Sequence, residues 1–166
     1  FVILGGRMMS GVKPPVCVSW SGGKDSCLAC YRAMSQGYPV SYLVNFISPE
    51  DHRVRFHSTG ANLIQMQSQA IGIPLLQKGT PDNDYEGAFK EAVRSLLSSG
   101  IKGMVFGDIY TDEHRQWVER VCRDIGIEAI EPLWGEATEN VVADFINAAF
   151  EAIVVSAQSH LIDKKW

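Results

Sequence analysis

Four amphipathic segments of the chain each end at a glycine, and a short apolar run follows each glycine at once. The four glycines are Gly37, Gly72, Gly100 and Gly126. Glycine readily adopts the left-handed backbone conformation that commonly follows the last turn of a helix. The pattern therefore predicts four helices, each followed by a strand.

Two of the segments show helical periodicity most clearly, with apolar residues at spacings of three and four. In the third segment these residues are Tyr85, Phe89, Ala92, Val93, Leu96 and Leu97, and in the fourth they are Trp117, Val118, Val121, Cys122 and Ile125. Asp82, Asn83 or Asp84 is available to cap the third helix. Both stripes indicate helices that pack on a core, with Cys122 as a core side chain.

Nearly continuous apolar runs lie between the helices, among them VCVSW from residue 16, SYLVNFI from residue 41 and MVFGDI from residue 104. Such runs are typical of strands that are covered on both faces. With right-handed crossovers, the alternation predicts an α/β fold: a doubly wound, mostly parallel sheet of five or six strands with helices on both faces. A further helix over 138–150 and the run AIVVSA extend this unit. Ligands should bind near the carboxyl ends of the strands.

The composition is that of one globular domain: 166 residues, of which 46% are apolar and 20% charged. Nineteen acidic against fifteen basic residues give a net charge of −4, which argues against nucleic acid or an anionic membrane as a partner. No apolar stretch approaches the roughly 20 residues that span a bilayer. The opening FVILGGRMMS does not have the pattern expected of a signal peptide, because only four apolar residues are consecutive and Arg7 follows them. Four cysteines inside apolar runs fit a reducing compartment, so we expect a cytoplasmic protein. We assign residues 1–13 to a tail and residues 14–166 to the domain.

The segment SGGKDS directly follows the first predicted strand and opens the first helix; its residues are Ser21, Gly22, Gly23, Lys24, Asp25 and Ser26. Two glycines let the backbone approach a ligand closely, and the amides of a helix start attract anions. Lys24 and the serine hydroxyls add further donors. The spacing is not that of the common P-loop, because no glycine stands five residues before Gly23. The segment predicts a phosphate site; the alternative is a tight turn with Asp25 or Ser26 as the helix cap.

SGGKDS after an apolar strand resembles the PP-loop of the ATP pyrophosphatases, a group with a HUP-like fold. Within that group the chain is similar to the diphthine-ammonia ligase family. This resemblance also rests on FHSTGANLIQMQSQAIGIPL, on GDIYTDEHRQWVERVCRDIGIEAIEPLWG and on the closing DKKW. Family members continue into a Gly- and Glu-rich segment that helps to form the acceptor site. The expectation is therefore a nucleotide half without the acceptor half.

The resemblance implies ATP and Mg²⁺ as cofactors and an AMP-forming ligation. AMP is transferred to the diphthine carboxylate of elongation factor 2, and ammonia then forms the amide. It implies catalytic roles for Lys24, Asp25 and Asp108, with Asp25 also positioning Mg²⁺. The nucleotide-binding residues that it implies are Ser21, Gly22, Gly23, Lys24, Asp25, Ser26, His57, Gly107 and Arg115.

Structural alternatives stay open for several of these positions. Asp108 and Thr111 could cap the following helix, and His57 could be a surface residue. Trp134, in the segment PLWG, could lie beside a ligand or serve only in packing. Cys27 and Cys30 form a C-x-x-C pair, but on a helix they share a face with Met34, so we interpret them as core residues.

Two other functions compete with the ligase. One is a PP-loop enzyme that modifies tRNA, which would need a basic RNA-binding face. The other is a module that senses ATP or AMP without turnover. The sequence leaves open whether the chain forms homo-oligomers.

Overall fold

The computed structural model describes residues 12–57, 59–81 and 83–155. Strands and helices alternate along the chain. In order they are β1 (Val16–Ser19), α1 (Lys24–Ser35), β2 (Val40–Ile47), α2 (Ala61–Ile71), β3 (Leu75–Gly79), α3 (Tyr85–Ser95), β4 (Gly103–Val105), α4 (Asp112–Ile125), β5 (Glu128–Ile130) and α5 (Thr138–Asn147), with a short 3₁₀ turn at Leu97–Ser99.

The strands form one five-stranded sheet in the order β3-β2-β1-β4-β5, and all neighbours are parallel. The chain leaves β1 towards one edge, returns to β4 and then moves towards the other edge. This is the predicted doubly wound arrangement, and its reversal point lies between β1 and β4. Within the described part of the AIVVSA run, residues 152–155, no strand forms and the side chains are exposed. The last two residues of the run lie outside the described ranges.

Each face of the sheet has its own apolar core because successive strand residues point to opposite faces. Val16 and Val18 of β1 belong to the core that includes Leu28 of α1 and Ile64 of α2. Cys17, between them, joins the other core. That second core includes the following buried residues from α3 and α4: Phe89, Ala92, Val93, Val118, Val121, Cys122 and Ile125. The two predicted stripes are thus confirmed as core-facing.

The glycine stops are also confirmed. Gly72 and Gly126 are the C-cap residues of α2 and α4, with φ of 77° and 86°. Gly37 follows α1 with φ of 88°, and Gly100 ends the 3₁₀ turn that extends α3. The last helix is shorter than predicted: α5 ends at Asn147 instead of residue 150.

Asp84 caps α3, since its side chain accepts a hydrogen bond from the Gly87 amide at 3.0 Å. Asp82, one of the three proposed caps, lies outside the described residues. In the described ranges, none of the helices has both the length and the apolar character that crossing a bilayer requires.

Candidate active site

A cavity of about 630 Å³ opens at the carboxyl ends of β1 and β4, where the strand order reverses. The register explains why two predicted segments meet there: Val18 pairs with Val105, and two residues further along are Trp20 and Gly107. The predicted site residues among the cavity lining are Ser21, Asp25, Ser26, His57, Gly107 and Asp108. Segments separated by some 80 positions in sequence therefore share one cavity.

The backbone of the Ser21–Ser26 loop needs a glycine at position 22. Gly22 has a φ of 79°, and a Cβ there would lie 2.5 Å from Ile64 Cδ1 and 2.6 Å from Gln67 Oε1. Gly23 is the N-cap of α1, and no side-chain hydrogen bond caps this helix. Asp25 and Ser26 are thus not the caps that the alternative required. The amides of the first turn of α1 are arranged as in helix starts that bind anions.

The two loop serines hold each other and the loop. Their hydroxyl oxygens lie 3.2 Å apart, and Ser26 Oγ donates to the Gly23 carbonyl at 3.0 Å. Ser26 is buried and Ser21 is half-buried. Both residues line the cavity, so their hydroxyls can also turn towards phosphate oxygens.

Lys24 does not line the cavity. Its Nζ instead lies 2.8 Å from both carboxylate oxygens of Asp25. Both side chains are more than a third exposed, so water screens this ion pair and its attraction is small. Because the pair is weak, a bound phosphate can draw the Lys24 ammonium away from Asp25.

Gly107 brings the end of β4 against the start of α1. A Cβ on this residue would lie 2.8 Å from the carbonyl carbon of Asp25 and 2.9 Å from the Ser26 amide nitrogen. Only glycine fits this approach without a backbone shift. Asp108 follows, with its Oδ1 3.4 Å from His114 Nδ1. Neither Asp108 nor Thr111 caps α4 through its side chain, since the N-cap Thr111 makes no such bond.

His57 lies on the exposed rim of the cavity. Partial desolvation lowers the pKa of its imidazole, and the negative charge of Asp25 opposes this shift. The effect of Asp25 indicates that His57 and the loop carboxylate share one electrostatic environment. A neutral His57 can donate one hydrogen bond and accept another at the cavity rim.

Arg115 is not among the cavity-lining residues. Its Nε lies 2.8 Å from Glu119 Oε1 and 3.6 Å from Glu131 Oε2, and its guanidinium covers the Trp134 ring at 4.8 Å. Burial raises the pKa of Glu131, against the pull of Arg115. The side chains of Arg115 and Trp134 therefore pack together beside the cavity.

Several residues of the cavity wall were not predicted as site residues. Tyr85 and Trp117 were assigned to core stripes, yet both line the cavity, as does Phe56, whose side chain is 81% exposed. The Tyr85 ring lies 5.4 Å from Phe56 and 5.7 Å from Trp117. The apolar periodicity of α3 and α4 does not distinguish core residues from cavity residues. Tyr85 and Trp117 line the cavity because they are the first apolar residues of their stripes, at the carboxyl edge of the sheet.

Asn45 is a further missed residue, and the sequence contained a signal for it. It is a polar residue inside an apolar strand run, and it is only 1% exposed. Its amide donates to the Trp20 carbonyl at 2.8 Å and accepts from Gln77 at 3.0 Å. A buried polar side chain needs such partners, and here they hold the end of β1 at the cavity.

The residues present fit a nucleotide with a magnesium ion. The loop amides, the serines and Lys24 can contact phosphate oxygens, and the cavity volume lies within the range of small-molecule sites. Mg²⁺ is usually bound by one or two carboxylates together with substrate phosphates, and Asp25 and Asp108 are the two carboxylates of the cavity. Within the described ranges, the cavity included, no group of three or more His, Cys, Asp or Glu residues is placed to hold a metal ion by protein ligands alone.

The C-x-x-C pair lies apart from this chemistry. Cys30 is 5% exposed and its Sγ lies 4.0 Å from Met34 Sδ, while Cys27 is partly buried against the same core. Burial raises the pKa of Cys30 to about 11, so its thiol is protonated at neutral pH. Cys122 is buried in the other core, as predicted.

Comparisons with known proteins show which family the chain is similar to. The chain is 27% identical over 165 residues to diphthine-ammonia ligase from Rattus norvegicus, in a match that covers 86% of this chain. It is 25% identical over 165 residues to the enzyme of the same name from Schizosaccharomyces pombe, a match that covers 87% of this chain. The chain spans 61% of the length of the rat protein and 27% of that of the yeast protein.

A solved structure described as a predicted subunit of tRNA methyltransferase from Methanocaldococcus jannaschii has the same fold. Its TM-score is 0.52 at 16% identity, over 80% of this chain and 75% of that one. The family model described as diphthamide synthase N-terminal domain matches residues 15–129, which is more than half of the chain. This stretch contains the Ser21–Ser26 loop, His57 and the Gly107–Asp108 pair. Because the model matches more than half of the chain, the chain belongs to the diphthamide synthase N-terminal domain family.

Proposed function

We propose that this chain binds ATP with Mg²⁺ on the Ser21–Ser26 loop and carries the AMP-forming half of an amide ligase of the diphthine-ammonia type. The observation that supports this most is the meeting of the loop with Gly107 and Asp108 in one cavity at the reversal point of the sheet. The relatives named diphthine-ammonia ligase are longer than this chain. For this chain, the complete ligase reaction of those relatives is therefore a proposal.

The reaction has two steps. A carboxylate oxygen of the acceptor attacks the α-phosphorus of ATP, the bond to the pyrophosphate oxygen breaks, and an acyl-adenylate forms. Ammonia then attacks the acyl carbon, and AMP and one proton leave as the amide forms. The proposed acceptor is the diphthine of elongation factor 2, and the proposed compartment is the cytoplasm.

The chain's own groups act on the pyrophosphate, where negative charge builds up. The amides at the start of α1 and the ammonium of Lys24 stabilise this charge without rearrangement of the backbone. Asp25 and Asp108 would hold Mg²⁺, which supplies further positive charge at the phosphates. His57 contributes a hydrogen bond at the rim, and Arg115 supports the wall beside Asp108.

The first experiment compares Lys24→Ala with wild type by calorimetric titration with MgATP and by product analysis. Loss of one donor to the charge that develops in the transition state costs about 2.7–4 kcal/mol, or roughly 10²–10³-fold in rate. We expect weaker MgATP binding and a rate loss of that size in AMP and pyrophosphate formation.

Lys102→Ala is the matched control. Lys102 is exposed and directly precedes β4, so it lies at the amino ends of the strands, away from the cavity. Equal binding by both variants and wild type would contradict the proposed phosphate site. Binding with unchanged ATP in the presence of acceptor and ammonia would support a nucleotide sensor instead.

A further inference from the structure

Gln67 of α2 joins Gly22 of the Ser21–Ser26 loop to Trp20, the residue just before that loop. Its amide nitrogen donates to the Gly22 carbonyl at 3.2 Å, and its amide oxygen accepts from Trp20 Nε1 at 3.0 Å. The two partners require opposite ends of one amide, a donor for the carbonyl and an acceptor for the indole N–H. Gln67 is therefore matched to both, although it lies more than 40 positions away in sequence.

The bond to Gly22 also determines where the next amide points. The peptide unit between Gly22 and Gly23 is planar and trans, so its C=O and N–H point in opposite directions. With the carbonyl held towards α2, the Gly23 N–H must point away from α2. It points towards Ser21 Oγ, at a long distance of 3.4 Å, and Ser21 lines the cavity.

This peptide unit has little else to hold its orientation. Both flanking residues are glycines, which permit a wide range of backbone angles, and Gly22 already has a φ of 79°. A flip of the unit would turn the Gly22 carbonyl towards Ser21, which lines the cavity, and replace a donor by an acceptor. An acceptor at that position would repel phosphate.

We propose that Gln67 is a positioning residue of the phosphate site: by holding the Gly22 carbonyl, it keeps the Gly23 amide directed at a phosphate group of the nucleotide. This inference rests on the proposed function, because it presumes that the loop binds phosphate. Gln67 itself does not contact the phosphate.

The sharpest test replaces one atom of the Gln67 side chain. Gln67→Glu keeps the size and the acceptor for Trp20 but loses the donor to the Gly22 carbonyl. The exposed Gln69 is on the same helix, and Gln69→Glu is the matched control for the added negative charge. Both variants and wild type are titrated with MgATP, with inorganic pyrophosphate and with adenosine, and their urea unfolding is measured.

We expect Gln67→Glu to weaken binding of MgATP and pyrophosphate by about tenfold or more, the size of a lost hydrogen bond to a charged group. Adenosine binding should stay within about twofold of wild type, because adenosine carries no phosphate. With ¹⁵N-glycine labelling, the Gly23 amide signal should shift on pyrophosphate addition in wild type and in Gln69→Glu, and much less in Gln67→Glu.

Each outcome decides one question. If wild type binds MgATP and Gln67→Glu binds it as Gln69→Glu does, the positioning role is wrong while the proposed function stands. If Gln67→Glu loses stability and all three ligands bind equally less, Gln67 has only a structural role. If wild type binds neither MgATP nor pyrophosphate, the proposed function fails, and the positioning role fails with it.

Discussion

At the scale of single residues, the site depends on positions where a side chain would not fit. Gly107 is the clearest example, since its Cα faces the backbone of Asp25 and Ser26 at the start of α1. The atoms that a Cβ would meet are main-chain atoms, which cannot rotate away as a side chain can. The contact therefore sets the distance between the two walls of the cavity.

Gly107→Ala tests this contact. Overpacking of this kind costs about 1–3 kcal/mol, and we expect the free energy of unfolding in urea to fall by that amount. MgATP binding should weaken as well, because α1 must shift to make room.

Gly79→Ala is the control, since a Cβ at Gly79 would meet no atom within 4 Å. Equal stability and equal MgATP affinity of the two variants would show that the contact at Gly107 is soft.

At the scale of elements, α3 and α4 are joined by a polar cluster at one carboxylate. Glu86 of α3 accepts hydrogen bonds from Arg120 of α4 at 2.6 and 2.8 Å and from Trp117 Nε1 at 3.0 Å. Lys90 bonds to Glu86 at 2.7 Å and to Asp124 of α4 at 2.9 Å. Trp117 also lines the cavity, so this cluster holds one cavity wall from behind.

The cluster predicts a pH-dependent stability. Arg120, followed by Lys90, holds the pKa of Glu86 far below its usual 4.5. A carboxylate whose pKa is lowered in the fold contributes fully above its unfolded pKa and loses that contribution as the pH falls below it. Glu86→Gln should therefore lower the free energy of unfolding at pH 7 by a small amount, of the size measured for exposed ion pairs.

The difference between wild type and Glu86→Gln should shrink as the pH is lowered from 5 towards the depressed pKa of Glu86, as measured by urea unfolding. Glu91→Gln serves for comparison, because Glu91 is 71% exposed and pairs with Lys78. A difference that stays constant with pH would contradict the role of the Glu86 charge.

Element order was well predicted from the chain, whereas element ends were not. The run MVFGDI reads as one strand, but β4 ends at Val105 because its neighbour β5 ends at Ile130, the last residue paired with it. Strand ends depend on the length of the paired strand, which local sequence does not contain. Helix stops at glycine were predictable since the left-handed conformation is a property of that one residue.

At the scale of the whole molecule, the net charge and the short basic runs favour the proposed ligase over an RNA-modifying enzyme. The net charge is −4, and no segment of the chain carries a run of Lys or Arg longer than two. Affinity for nucleic acid rests largely on phosphate contacts from such residues.

We expect tRNA binding no tighter than the non-specific range of about 10⁻⁴–10⁻⁶ M at physiological salt. Filter binding over a salt series measures it, with MgATP binding by the same preparation as the positive control. Nanomolar affinity at physiological salt would favour the tRNA-modifying alternative.

Part of the candidate site could be predicted from the sequence, because the parallel sheet brings certain local motifs together, and part could not. Ser21–Ser26, Gly107 and Asp108 carry local signatures, and parallel strands bring their carboxyl ends together by rule. Gln67 carries no such signature, and Asn45 shows only that a polar residue interrupts an apolar strand run. Their roles depend on which face of α2 and β2 meets Trp20 and Gly22. Arg115 shows the reverse: a charged residue near the site pairs with Glu119 and Glu131 instead of lining the cavity.

The close approach of Gly107 to Asp25 and Ser26 also affects how the molecule opens. The contact couples the β1–α1 loop to the β4–α4 loop. Neither loop can therefore move away from the sheet without exposing the backbone of the other to solvent. Amide hydrogens of residues 23–26 and 106–108 should then exchange with deuterium as one cooperative unit. A ligand on either loop would slow exchange in both.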